Sequence, residues 1–230
     1  MRQIVLDTET TGLDPGKGHR IIEIGAVEIV DRRLTGNNYH VYLNPERPCD
    51  PDAVRIHGLT DEFLQDKPLF ADLMEEFLGY VGNDELIIHN APFDLGFFAA
   101  ELRLQQRDQL KNPVYDSLVE ARRRFPGQKN DLNSLCRRFA VDNSQRALHG
   151  ALLDCELLAD VYLAMTGGQV DMGLSDAPER VTARPGAVVN LPQRPAGRLR
   201  VISATAEEMA AHTAYLQQMG NALWQEGAET

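Results

Sequence analysis

Gln3-Ile4-Val5-Leu6-Asp7-Thr8-Glu9-Thr10-Thr11-Gly12 opens the chain and governs how the rest is read. Ile4, Val5 and Leu6 run without alternation, so residues 3–8 read as a strand buried on both faces. Side chains alternate along a strand with a period of two, which points Asp7 and Glu9 to the same face. Two carboxylates that close repel, and one resists ionising unless a cation lies between them. Hard oxygen ligands of this kind favour magnesium or manganese. An Asp-x-Glu triplet at a strand end is also common as two solvated acids, so the metal reading depends on what else the chain brings to it.

Outward from that strand, Thr11-Gly12-Leu13-Asp14-Pro15-Gly16 is a turn rich in Gly, Pro and Asp. Residues 20–30 and 34–43 are two more strands joined by a polar turn at Asp31-Arg32-Arg33, a spacing that suits an antiparallel meander. Helical signals follow. Thr60 caps a short helix through Phe63 and Leu64. Pro68 suits the first turn of a helix with Phe70, Leu73, Phe77 and Leu78 on one stripe. Residues 85–89 form a strand, and Pro92 opens a helix carrying Phe93, Phe97, Phe98 and Leu102. Residues 131–139 and 150–165 are further helices, the second strongly apolar. Three antiparallel strands followed by strand–helix alternation predict an α/β fold, a mixed sheet with helices on its faces.

The whole chain sets bounds on this reading. Its 230 residues, 43% hydrophobic and 25% charged, are enough for one sizeable soluble domain and an appendage. No run of about 18 apolar residues predicts a membrane span. Met1 leads straight into the first strand without the order of a signal peptide. Cys49, Cys136 and Cys155 are odd in number and form no CxxC, so reduced packing thiols in a cytoplasmic protein are expected. A protein that grips duplex DNA alone should carry a basic face, and the net charge here is -11. The chain therefore either avoids nucleic acid or touches a short piece of it, with metal ions offsetting its acids and a partner supplying the grip.

Two further sets of residues can join Asp7 and Glu9. Asp94 follows the 85–89 strand in Asn90-Ala91-Pro92-Phe93-Asp94, where α/β sheets form sites, although an Asp in a first helical turn also complements the helix dipole. His149 and Asp154 are five apart and would diverge by about 140° within one helix. They converge only if His149 sits at the lip of the helix and Asp154 one turn in, and Gly150 supports a boundary there; in isolation the pair reads better as a capping histidine and a surface Asp. Asp154 lies among Leu152, Leu153, Leu157 and Leu158, and an Asp on a largely buried helix needs a partner.

Together the motifs Asp7-Thr8-Glu9-Thr10-Thr11-Gly12, His89-Asn90-Ala91-Pro92-Phe93-Asp94 and His149-Gly150-Ala151-Leu152-Leu153-Asp154 resemble, in order and spacing, the DEDDh exonuclease superfamily over residues 1–166. The flanking text Ile21-Ile22-Glu23-Ile24-Gly25-Ala26-Val27, Val54-Arg55-Ile56-His57-Gly58-Leu59-Thr60 and Leu163-Ala164-Met165-Thr166-Gly167-Gly168-Gln169 narrows the resemblance to the epsilon family, the proofreading exonucleases of bacterial DNA polymerase III. That resemblance implies a ribonuclease H-like fold and 3′→5′ hydrolysis of the terminal phosphodiester of DNA by two divalent ions, Mg2+ or Mn2+. It implies that Asp7 bridges both ions, that Glu9 and Asp154 complete the first, and that Asp94 supports the second largely through water. It makes His149 the general base, since an imidazole with a pKa near 6.5 accepts a proton from water at neutral pH. The 3′ nucleotide would lie against Asp7, Glu9 and the backbone from Thr8 through Thr10 to Gly12, with Leu13, Ile56, His57, Asn90 and Phe93. Leu13 and Ile56 read equally as core packing. The same motifs serve RNA 3′-trimming exonucleases, and a chain of this kind could also act only as a non-catalytic stabiliser of a polymerase.

The composition changes after residue 168. Gln169-Val170-Asp171-Met172-Gly173-Leu174 resembles the short motif that docks bacterial polymerase subunits on the sliding clamp, through Gln169, Met172 and Leu174. Residues 175–198 read as a Pro- and Arg-rich linker. In residues 199–230 a short strand-like run precedes a helix with a Thr205-x-x-Glu208 capping box, a stop at Gly220, and Met209, Leu216 and Trp224 as apolar residues. The resemblance implies that this segment docks on the polymerase's catalytic alpha subunit, and it admits a small theta-like accessory subunit. The expected domains are thus an exonuclease domain over 1–168, the clamp motif at 169–174, the linker, and a strand–helix docking element.

Overall fold

In a computed structural model, residues 1–167 and 204–218 are described. Six strands form one mixed sheet: β1 (Arg2–Thr10), β2 (Ile21–Val30), β3 (Arg33–Leu34), β4 (Tyr39–Tyr42), β5 (Glu85–Ile88) and β6 (Val114–Asp116). Its order is β3-β2-β1-β5-β6, with β4 also paired to β2. β1 and β2 are antiparallel, while β5 and β6 run parallel to β1 and to each other, respectively. The mixed sheet read from the sequence is the observed one. The single strand expected over 34–43 is instead two short pieces, β3 and β4. Between them Gly36 has φ 80, and the chain leaves and rejoins the edge of β2.

Central β1 is buried on both faces because each face has its own core. Ile4 and Leu6 pack with Phe70 and Phe77 of α3 (Phe70–Val81) and with Phe97, Phe98 and Leu102 of α4 (Ala91–Leu104). Val5 packs with Ala121 of α5 (Ser117–Arg124), Leu135 of α6 (Leu132–Phe139) and Leu158 of α7 (Ala151–Thr166). Two short helices, α1 (Pro51–His57) and α2 (Asp61–Leu64), follow β4. Thr60 caps α2 as expected, its side chain accepting from the Phe63 N–H.

Pro68 lies before α3 rather than in its first turn. The helix starts at Phe70, and the Leu69 N–H is held by the Asp72 carboxylate at 3.0 Å. α1, β6 and α5 were not anticipated. β6 has three residues, and α5 ends in Arg122-Arg123-Arg124, so neither shows a clear apolar period. Cys136 and Cys155 are buried free thiols, and Cys49 is partly exposed.

Residues 204–218 contain α8 (Ala206–Gln218). Its start is the capping box read from the sequence: the Glu208 N–H donates to Thr205 Oγ1 at 3.2 Å, and the Thr205 N–H donates to Glu208 Oε2 at 2.8 Å. The clamp-like motif, the linker, the run at 199–202, Gly220 and Trp224 lie outside the described residues. None of the described helices is long and apolar enough to cross a membrane.

Candidate active site

The end of β1 carries the acids, and three other elements complete the group around it. Val5, Asp7 and Glu9 share the face of β1 that is covered by α7, whereas Ile4, Leu6 and Thr8 share the face covered by α4. Asp7 pairs with Gly25 of β2. A Cβ at Gly25 would stand 2.3 Å from the Ala151 carbonyl carbon and 2.4 Å from the Leu152 nitrogen, so only glycine lets the first turn of α7 come this close. The Cys155 thiol lies 3.1 Å from the Gly25 carbonyl oxygen. Asp154, in that first turn, is thereby brought over β1 and buried.

Asp94 comes from the other side of the sheet. It is 2% exposed in the first turn of α4, and the Thr8 hydroxyl donates to its Oδ1 at 2.7 Å. The start of α4 is fixed by Asp116 at the end of β6. That carboxylate caps α5 through the Leu118 and Val119 N–H groups and also accepts from the Asn90 and Ala91 N–H groups. Asn90 adopts a left-handed conformation there, φ 71, a region that Asn tolerates better than most residues. His149 lies outside α7, with Gly150 as N-cap, and its backbone N–H donates to the Ile56 carbonyl at 3.0 Å. Its Nδ1 is 3.8 Å from Asp154 Oδ2.

Every site residue that the sequence proposed within 1–167 lines one cleft of about 1080 Å³. Leu13 is 81% exposed and Ile56 46%, so neither is core: both stand on the rim, with Phe93 and His57 on the cleft wall. Thr10 and Gly12 shape the turn, the Thr10 hydroxyl donating to the Gly12 carbonyl at 2.7 Å. Gly12 has a further constraint, since a Cβ would meet the His19 ring at 2.4 Å. His57 accepts the Leu59 N–H at Nδ1, and its buried Nε2 has no partner.

The electrostatics favour a cation. Burial, with repulsion from Asp94, Glu9 and Asp154, holds the Asp7 carboxyl well above the usual range, although Arg146 opposes the shift. Burial and repulsion from Asp154 and Glu23 push Glu9 up to about 8. Burial pushes Asp94 to about 7 despite the Thr8 hydrogen bond. His149 is lowered by burial and then by Arg146, with Asp154 pulling it back. Such shifts mark acids without enough positive charge nearby. Ligand atoms of Glu9, His149 and Asp154 lie within 4.8 Å of one another. Hard oxygens with one imidazole in this crowding suit a divalent ion.

Sequence reasoning missed Arg146. Its Nε and one terminal nitrogen each donate to Asp154, to Oδ1 and Oδ2, both at 2.6 Å. It lies in the irregular segment between α6 and α7, where no periodicity marks it. Gly25 was also passed over, although an isolated glycine inside the apolar run Ile21–Val30 is a signal for a close backbone approach. Arg122 and Lys129 add positive charge on the cleft's outer wall.

Residues 4–162 match a family model described as Exonuclease. The chain is 52% identical over 235 residues to DNA polymerase III subunit epsilon of Salmonella typhimurium, with 97% of each chain covered. The Escherichia coli subunit gives the same identity and coverage. That of Rickettsia felis is 47% identical over 223 residues, covering 95% of this chain and 97% of the relative. Among solved structures, exonuclease X in complex with 5′-overhanging duplex DNA matches with a TM-score of 0.59 at 26% identity, covering 73% of this chain and 92% of that one. The nuclease domain of 3′hExo, a DEDDh family member bound to rAMP, shares the fold at a TM-score of 0.62 and 16% identity, covering 73% of this chain and 92% of that one.

Proposed function

The chain belongs to the DNA polymerase III epsilon family of exonucleases, and we propose on that premise that it proofreads for a bacterial replicative polymerase by 3′→5′ hydrolysis. Its product would be nucleoside 5′-monophosphates. The observation that carries this reading is the convergence of Asp7, Glu9, Asp94 and Asp154 at one end of a nucleotide-sized cleft. Exonucleases of this type depend on divalent metal, and the acid-rich donor set here fits that requirement. Two ions of the Mg2+ or Mn2+ class, held by those four carboxylates, would supply charge stabilisation to the attacking and leaving oxygens.

The protein's own groups do the rest. His149, lowered below its ordinary pKa and open to the cleft, takes the proton of the attacking water. Phe93, Leu13 and Ile56 present apolar surface on which a terminal base can stack without regard to sequence. Asn90, His57 and the backbone from Thr8 to Gly12 border the same space. On a chain of net charge -11, the few basic groups of the cleft, Arg122, Lys129 and Arg146, suit a short frayed end, and a mispaired end frays at lower cost.

Residues 1–168 form the exonuclease domain in this reading. Because the epsilon relatives align over 97% of the chain, the tail belongs to the same comparison. Gln169, Met172 and Leu174 would contact the sliding clamp, residues 175–198 would link, and residues 199–230 would dock on the alpha subunit. A theta-like subunit is a further partner of the same assembly. The chain's association with DNA polymerase III and DNA follows from the family, and the individual contacts are the proposal.

The test is release of nucleotide from 3′-labelled DNA and RNA, paired and mispaired, by the full chain and by His149→Ala with Mg2+. Faster release from mispaired DNA than from paired DNA or RNA is expected, with kcat lowered by roughly 10²–10⁴-fold in the variant, the usual range for a lost general base. Equal rates on paired and mispaired ends point to a trimming enzyme. A variant with intact kcat but weakened metal affinity makes His149 a ligand.

A further inference from the structure

We propose that Arg146 is a resident counter-cation of the acid cluster and that a divalent ion displaces it, so that ion uptake and release of the guanidinium from Asp154 are one exchange. This rests on Asp154 being a metal ligand, as proposed above. Three observations carry it.

The first is where the guanidinium sits. Its Nε and terminal nitrogen grip both oxygens of Asp154 at 2.6 Å, and that same terminal nitrogen lies 3.3 Å from His149 Nδ1. Glu9, His149 and Asp154 are the residues whose ligand atoms crowd within 4.8 Å of one another. The guanidinium therefore touches two members of that set and stands against the space they share. The second is burial. The side chains of Arg146 and Asp154 are each 6% exposed, so a second cation brought to Asp154 would face a charge that solvent barely screens. The third is the balance of charge. Asp7, Glu9, Asp94 and Asp154 line the same cleft, and of these four carboxylates Arg146 is bonded only to Asp154. One positive charge eases this cluster without neutralising it, and a doubly charged ion in its place would do more.

The backbone allows such an exchange. Arg146 is in the segment between α6 and α7, outside any helix or strand, and its own N–H is bonded only locally, to the Asn143 carbonyl at 3.0 Å. His149 is anchored separately to Ile56. The long side chain can therefore swing while the histidine and α7 stay in place. A bidentate arginine also specifies carboxylate geometry more strictly than a lysine does, so it would hold Asp154 in a fixed rotamer until an ion arrives.

The experiment follows the Arg146 Nε–H in full-length protein labelled with 15N-arginine, its signal identified by its loss in Arg146→Lys. Without metal, this proton should exchange slowly with solvent. At saturating Mg2+, its exchange should speed up and its shift should move. In calorimetry, Arg146→Gln should bind Mn2+ at least about fivefold more tightly than wild type, the lower end of usual coupling between two sites. The same variant should melt lower without metal, and Mn2+ should raise its Tm by more than it raises that of wild type. Arg146→Lys, which keeps the charge and loses the fork, should fall between them and serves if Arg146→Gln does not fold. An Nε–H signal unmoved at saturating Mg2+, or equal or weaker Mn2+ binding by the variant, overturns the exchange. Wild type that binds no Mn2+, or Asp154→Asn that binds it as well as wild type, instead overturns the site reading on which the exchange rests.

Discussion

Two buried arginine–carboxylate forks stand at different places in this protein. In one, Arg20 donates to both oxygens of Glu101, at 2.7 and 2.8 Å, and the Ile21 N–H adds a third bond at 3.3 Å. In the other, Arg146 grips Asp154 with the same geometry. Glu101 is 1% exposed and Asp154 4%, so burial does not separate them. Their neighbours do. Glu101 takes both bonds of a guanidinium whose other acidic neighbour, Glu46, is exposed and 3.8 Å away, and it ties α4 to the start of β2. Asp154 is one of four clustered acids, its guanidinium also eases Asp7 and Glu9 but not Asp94, and those three are held away from their ordinary ionisation. A buried ion pair by itself is therefore weak evidence for a site. Carboxylates left over after the pairing is counted are strong evidence for one.

This contrast makes opposite demands on substitution at the two places. The largest effect is expected at the cluster. Asp7→Ala should leave the domain folded, since it relieves repulsion, and should lower nucleotide release by about a hundredfold or more, because metal-assisted stabilisation is worth several kcal/mol. The check is single-turnover hydrolysis beside circular dichroism. Retention of about a tenth of wild-type activity is too much for the metal ligand proposed at Asp7, and it would remove the cluster's special status.

Next in size is the pair that the chain balances for itself. Glu101→Ala leaves the Arg20 guanidinium, whose side chain is only 18% exposed, with the exposed Glu46 at 3.8 Å as its remaining acid, and should cost about 3 kcal/mol of unfolding free energy. Urea denaturation measures this. A loss below about 1 kcal/mol would make the Glu101 pair resemble an exposed one and blur the comparison.

The smallest expected effect is a pH dependence. An acid whose folded pKa is raised contributes stability that is present below its unfolded pKa, near 4, and lost as pH rises through the folded value. With Asp94 at about 7 and Glu9 at about 8, this loss is nearly complete by about pH 8, and between about pH 6.5 and 8 the metal-free protein should lose Tm by a few degrees. His57, His89 and His149 are all lowered, so their titration lies below this window. Saturating Mg2+ or Glu9→Gln should flatten the slope, as read by thermal melts across that range. A slope insensitive to both would assign it to groups outside the cluster.

The readable parts of the site were those governed by local geometry. Asp7 and Glu9 share a face because a strand repeats every two residues, and Thr60 and the Thr205–Glu208 box cap helices because their side chains reach the next turn. His149 was placed at a helix lip from Gly150 and from the angle that a continuous helix would impose. The elements that escaped were short or polar. β6 and α5 offer no stripe, yet Asp116 between them fixes the start of α4 and hence the position of Asp94. The rim positions of Leu13 and Ile56 also needed the fold, since an apolar residue near a turn reads the same whether it is core or cleft wall.

The sequence by itself determined which acids could act together: the period of a strand joined Asp7 to Glu9, and the resemblance of the motifs joined Asp94 and Asp154 to them. Only the tertiary structure decided how the acids meet and what opposes their charge. Gly25 lies well over a hundred residues from the helix that it admits, and Arg146 lies as far from Asp7 and Glu9, the acids whose charge it offsets. Contact across such separations follows from the packing of α7 on β1 and β2, and no local pattern encodes it. The Coulomb energy of the cluster depends on distance and burial, and both exist only once the chain has folded.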